Sequence, residues 1–126
     1  MDYYVGLDVS PRSVAVCVID SDGKAVLERS VPCEIEDISR CLLLLRAIEL
    51  RIGFEAGAIS QFLFFGLQAA GFDVVCMEAR QVNAALSAMR NKTDKTDARG
   101  IAQVLRSGWF NAVHMKSREA HAVRPL

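Results

Sequence analysis

Four acidic residues carry the chemistry that this sequence offers: Asp8, Glu55, Asp94 and Asp97. Two of them close matching tripeptides, Gly6-Leu7-Asp8 and Gly53-Phe54-Glu55, each a small residue, an apolar residue and a carboxylate. In a strand, side chains alternate between faces, so Gly6 shares a face with Asp8, and Gly53 with Glu55. If the two strands are parallel neighbours, their backbones lie about 4.8 Å apart and the carboxylates can share a cation. The glycines are expected to leave room beside that cation. Asp94 and Asp97 are spaced i, i+3 at an expected helix start, with Thr93 as a candidate cap, and so project from one face. Like charges placed so closely need solvent or a cation between them. An all-oxygen ligand set selects Mg2+ or Mn2+ over zinc. Two such ions about 3.5–4 Å apart would orient a nucleophile and stabilise the leaving oxygen of an in-line phosphoryl transfer.

The charge pattern suits a phosphate partner. Residues 1–79 carry six basic and twelve acidic side chains, a net −6. Residues 80–118 carry eight basic and two acidic ones, a net +6, and the two acids are Asp94 and Asp97. Lys92, Lys95, Arg99 and Arg106 flank those acids and are the candidate contacts to a nucleic-acid backbone. With 52% apolar and 24% charged residues, the 126-residue chain is an ordinary globular domain able to bury a core. The four cysteines, Cys17, Cys33, Cys41 and Cys76, show no C-x-x-C spacing and read as reduced packing residues of a cytoplasmic protein. The longest uncharged run, residues 56–72, is short of the roughly 20 residues that span a bilayer and reads as a buried helix. Trp109 and Phe110 are expected in the core or a subunit interface. Phe62, Phe64 and Phe65 are expected in the core or a dimer face.

Periodicity supplies the elements that must position the acids. Residues 3–9 form a first strand, and residues 13–20, apolar at every position up to Asp20 after Ser13, form an interior one. Ser21-Asp22-Gly23-Lys24 is a turn, and residues 25–31 return as an edge strand marked by Glu28 and Arg29. Ile35, Ile38, Leu42 and Leu45 then recur at helical spacing. A strand at 51–55, a helix at 59–70, a strand at 73–77 and helices at 80–89 and 94–105 complete the reading, the last ended by Gly108. Three antiparallel strands followed by alternating helix and strand is the ribonuclease-H-like α/β arrangement: a mixed five-stranded sheet, order 3-2-1-4-5, with helices on both faces. Right-handed crossovers make the first, fourth and fifth strands parallel.

The residues also resemble a known family, the DEDD transposases of bacterial insertion sequences, in their N-terminal, RuvC-like domain. The matching stretches are Tyr4-Val5-Gly6-Leu7-Asp8-Val9-Ser10, Gly53-Phe54-Glu55-Ala56-Gly57 and the run 80–110. That run contains the most specific element, Asn91-Lys92-Thr93-Asp94-Lys95-Thr96-Asp97-Ala98-Arg99-Gly100. The resemblance implies that Asp8, Glu55, Asp94 and Asp97 are metal-binding and catalytic. It further implies DNA transposition or site-specific recombination with magnesium, directed by a structured RNA, in a homo-oligomer. It divides the chain into a catalytic domain at 1–116 and, at 117–126, the start of a connector to a second domain that bears a nucleophilic serine. No serine of this sequence matches that nucleophile, so the chain reads as a truncated or excised fragment. The rivals are a Holliday-junction-resolvase-like nuclease, a non-catalytic remnant that dimerises or binds RNA, and a sugar-kinase or actin-like lobe. The last wants Gly or Thr where this chain has Ser10-Pro11-Arg12-Ser13.

Overall fold

Alternation along the first three strands decides which residues meet on each side of the sheet. In the computed structural model, which describes residues 2–45, 49–89 and 97–115, the order begins with β1 (Asp2–Val9), β2 (Ser13–Ile19) and β3 (Ala25–Pro32). These are joined as an antiparallel meander. The turn between β2 and β3 is closed by Asp20, whose carboxylate accepts the Asp22 and Lys24 N–H groups at 2.9 and 3.0 Å. Gly23 takes the positive φ of 86° that the turn requires. Strand β2 is covered on both sides, with Val14, Val16 and Val18 facing one core and Cys17 and Ile19 the other. Strand β3 is the exposed edge, and it ends on Pro32, which lacks an N–H to offer another chain.

Helix α1 (Ile35–Leu43) follows, then β4 (Glu49–Glu55), α2 (Ser60–Ala69), β5 (Asp73–Met77), α3 (Ala79–Met89) and α4 (Ala98–Ser107). The sheet order is β3-β2-β1-β4-β5, with β1, β4 and β5 parallel, as the sequence predicts. Helices α1 and α2 pack on one face, burying Ile38, Leu42, Leu63 and Leu67 against Val5, Leu7, Ile52 and Phe54. Helices α3 and α4 cover the other face around Met77, Val82, Leu86, Ile101 and Leu105. Cys17, Cys41 and Cys76 are buried thiols and Cys33 is half-buried, all unbridged, in keeping with packing roles. Among the described residues, no helix is long and apolar enough to cross a membrane.

Several local expectations change. Helix α2 is not a buried helix: it buries Leu63 and Leu67 but leaves Phe62 42% exposed, and Phe64 and Phe65 are half-buried and meet edge to face at 5.2 Å. An uncharged helix can still be one-sided, because Gln61, Gln68 and small residues supply its outer face. Trp109 lies outside the core, 51% exposed, while Phe110 is half-buried with the Arg51 guanidinium 5.9 Å above its ring. Beyond α4 the chain returns to the free side of β5. Ala112 bridges Met77 in antiparallel sense, Glu78 N–H donates to Asn111 O at 2.9 Å, and Val113 N–H donates to Cys76 O at 2.7 Å. Nothing in the alternation of so short a segment announces it. The expected connector, residues 117–126, lies outside the described residues.

Candidate metal centre

Strands β1 and β4 are aligned so that Gly6 faces Gly53 and Leu7 faces Phe54. The next residue on each strand is an acid, so Asp8 and Glu55 emerge side by side at the carboxyl ends of two parallel strands. Both are half-buried. Burial, and then the neighbouring Asp8 carboxylate, raises the Glu55 carboxyl above its ordinary range. Burial, and then the Asp97 carboxylate, raises Asp8 in the same way. Asp8 is thus the acid with a carboxylate on either side. Each shift has the sign expected when anions are crowded and partly dehydrated.

Asp97 reaches this position through α4, and its local geometry differs from the expected i, i+3 pair. The helix begins at Ala98, not at Asp94. Asp97 is its N-cap in extended conformation, φ −139° and ψ 179°, and its Oδ1 accepts the Gly100 N–H at 2.8 Å. A capping carboxylate satisfies a helix N–H that has no partner within the helix, and the helix dipole favours it there. The cap is therefore Asp97 rather than Thr93. The helix ends at Ser107, and Gly108 takes the left-handed C-cap, φ 77°, as the sequence predicts.

The glycines have a different use from the one expected. A Cβ on Gly6 would collide with the Ala98 carbonyl oxygen and lie 2.5 Å from the Ala102 nitrogen. The room beside Asp8's strand is filled by helix backbone, not reserved for a cation. Small residues on both partners, Gly6 below and Ala98 and Ala102 above, let the start of α4 rest on β1. Asp97, the residue before Ala98, is thereby set beside Asp8. Gly53 is less constrained: a Cβ there would meet Met77 Cε at 3.0 Å and the Leu105 methyls at 3.3 Å, all ends of flexible side chains.

The basic candidates separate. Arg99 is exposed beside Asp97 and the Cys17 thiol, in a shallow hollow of about 350 Å³ that Asp8 and Glu28 also line. Cys17 is pushed up to about 11, by burial first and then by Glu28, which makes it an inert thiol. Arg106 lies at the opposite end of α4, about nine residues or roughly 13 Å along the helix from Asp97. Its Nε donates to the Ser21 carbonyl at 3.0 Å, and the neighbouring Gln103 Nε2 donates to the Gly23 carbonyl at 2.9 Å. Both tie α4 to the β2–β3 turn. Lys92, Asp94 and Lys95 lie outside the described residues.

Among the described residues, no group of three or more His, Cys, Asp or Glu is gathered tightly enough to form a closed metal site. The three described acids nonetheless fit the chemistry of a hard divalent cation. They are all oxygen donors, they converge on Asp8, and burial together with their mutual repulsion raises two of them. Of the acids singled out in the sequence, the structure brings Asp8, Glu55 and Asp97 near one another, while Gly6 as the seat of α4 was missed. The signal available was a glycine two residues before an acid in an otherwise apolar strand.

The fold has a solved counterpart. T. thermophilus RuvC, in a structure titled as a complex with Holliday junction substrate, superposes with a TM-score of 0.52 over 90% of this chain and 100% of that one, at 13% identity. The likeness establishes the RuvC-like, ribonuclease-H-like α/β fold. No curated protein matches the chain. The sequence model of the DEDD transposases, described as Transposase, matches residues 5–126. With that match spanning nearly the whole sequence, the chain belongs to the DEDD transposase family.

Proposed function

We propose that the chain holds Mg2+ or Mn2+ through Asp8, Glu55, Asp94 and Asp97, and uses it to cut and rejoin a DNA backbone during transposition. The observation that carries this reading is the position of Asp8, with Glu55 beside it on the next parallel strand and Asp97 beside it at the helix start. When bound, such a cation lowers the pKa of an attacking water or hydroxyl and neutralises charge on the phosphoryl group. The protein's own residues do the positioning. Asp8 and Glu55 are fixed by the sheet, which cannot slide by one residue without reversing both faces. Asp97 is fixed by its cap bond to Gly100. Arg99, with Lys92 and Lys95 close to it in the sequence, supplies positive charge for the phosphates of the strand.

In this reading DNA is the substrate, a structured RNA directs the site, and the protein works as a homo-oligomer, as the family resemblance implies. A RuvC-like resolving activity on branched DNA is the nearest alternative, and it would use the same acids. The test is cleavage of linear and branched DNA by the chain in Mg2+, Mn2+ or chelator, with Asp8→Asn as control. Metal-dependent nicking that Asp8→Asn abolishes is the expected result. Nicking that survives in chelator, or in Asp8→Asn, would refute the assignment.

A further inference from the structure

On the side of the sheet away from α4, the carboxyl ends of β1 and β4 border a hollow of about 460 Å³ between the β1–β2 turn and the start of α2. Its accessible walls are apolar, formed by Val9, Pro11 and Ile59 over a floor of the buried Phe54 and Leu63, while Ser10 and Glu55 bring polar atoms to it. We propose that this hollow is a nucleobase pocket, which takes the base of a nucleotide next to the phosphate presented to the acids. The proposal rests on the metal-centre reading above and deepens it.

Three observations carry it. The volume lies within the range of about 300–1,000 Å³ typical of small-ligand sites, and apolar walls with few polar atoms are what such sites show. A base is flat and apolar on its faces, with donors and acceptors on its edge, so the Val9, Pro11 and Ile59 side chains and the Ser10 and Glu55 groups match its two kinds of surface. Second, the pocket is continuous with the candidate metal centre, because Glu55 belongs to both. A strand whose phosphate lies at Asp8 and Glu55 therefore brings its adjoining sugar and base to the hollow.

Third, the border is held in shape before anything binds. Gly57 N–H donates to Ser60 Oγ at 2.6 Å, and the Ser60 hydroxyl donates back to the Gly57 carbonyl at 2.9 Å. Across the hollow, Ser10 N–H and the Ser10 hydroxyl both donate to the Ser13 carbonyl, at 2.9 and 2.8 Å. A pocket of this kind takes only a base that has left the stack. It therefore favours unpaired or distorted strands over regular duplex, and selection among bases follows from the fit.

The test uses the whole chain and neutral probes, thymidine and deoxyadenosine, which lack a phosphate and so do not need a cation to approach Glu55. Amide shifts are followed by NMR, with 2-deoxyribose and cyclohexanol as controls for sugar and for mere greasiness. The nucleosides are expected to move Ser10, Ala58, Ile59 and Leu63, and the controls are not. Ala58→Trp, at an exposed position on the border, is expected to weaken nucleoside binding by roughly tenfold or more. Ile59→Ala, which removes a side chain without filling space, provides a second variant and is expected to weaken binding to a smaller extent. Nucleoside shifts confined to other surfaces, equal binding of cyclohexanol, or unchanged affinity in a folded Ala58→Trp would overturn the proposal. Mn2+ broadening of signals around Asp8, recorded without nucleoside, tests the metal reading separately. Its absence would refute the metal centre while leaving the pocket result legible.

Discussion

Asp8 and Glu55 are raised by burial first and by a neighbouring carboxylate second, and this gives them a sign in the stability of the protein. Both folded values lie above the ordinary 3.8 and 4.5, so over that interval the native state keeps protons that the unfolded chain has released. The pair costs nothing while both states are protonated, and stability falls as pH rises through the raised values. The penalty is larger at neutral pH than in acid. In chelator, Asp8→Asn is therefore expected to melt above wild type at pH 7, with the gain shrinking as pH falls through the raised values and the wild-type carboxyls gain their protons. A melting series across pH checks it, and an equal difference at every pH would show that charge is not the cause. Asp97 separates capping from ligation, because asparagine caps a helix as well as aspartate does. Asp97→Asn is expected to keep the helix cap and lose stabilisation by metal, whereas Asp97→Ala also loses about 1 kcal/mol of cap.

At the scale of elements, the site depends on how closely α4 lies on β1. Gly6→Ala places a methyl against helix backbone, which cannot turn aside as a side chain can. It is expected to cost about 1–3 kcal/mol or more, and to weaken metal binding by moving Asp97 from Asp8. Gly53→Ala meets only the ends of Met77 and Leu105 and is expected to cost less. Urea denaturation of the two variants decides between them, and equal costs would contradict the seating of α4 on Gly6. The sheet was legible because its signals are local and repeated: β2 is apolar on both faces, the Asp20–Lys24 turn is marked by Gly23, and Gly6-Leu7-Asp8 repeats as Gly53-Phe54-Glu55. The start of α4 was not. Asp94 and Asp97 are both good helix-start residues, and only the packing of Ala98 and Ala102 on Gly6 selects the second. The 111–113 segment pairs with β5 through backbone groups, which leave no pattern in side-chain type. The partners of Arg106 are likewise carbonyls of a distant turn, so its charge alone pointed toward phosphate.

For the molecule as a whole, the division into an acidic stretch at 1–79 and a basic one at 80–118 predicts salt-dependent attachment to DNA. Charge reversal at Lys92, Lys95 and Arg99 together is expected to weaken binding and lower the salt slope by about 0.9 for each phosphate no longer neutralised. Arg106→Ala is expected to leave that slope unchanged and to lose about 1 kcal/mol of stability with its bond to Ser21. Titration of a fluorescent oligonucleotide over a range of salt reads the slope, and an equal fall in slope from Arg106→Ala would place that residue on the DNA after all. Every catalytic role proposed for these residues depends on whether the acids bind a cation, and thermal melting of the chain in Mg2+, Mn2+ or chelator tests that most directly. A cation that binds the native state alone stabilises it by about 2.7 kcal/mol at a hundredfold excess over its dissociation constant. Wild type should therefore melt higher in either metal than in chelator, and Asp8→Asn should lose most of that gain. If wild type melts identically in all three and Asp8→Asn is simply less stable, the acids are structural and the metal centre is refuted.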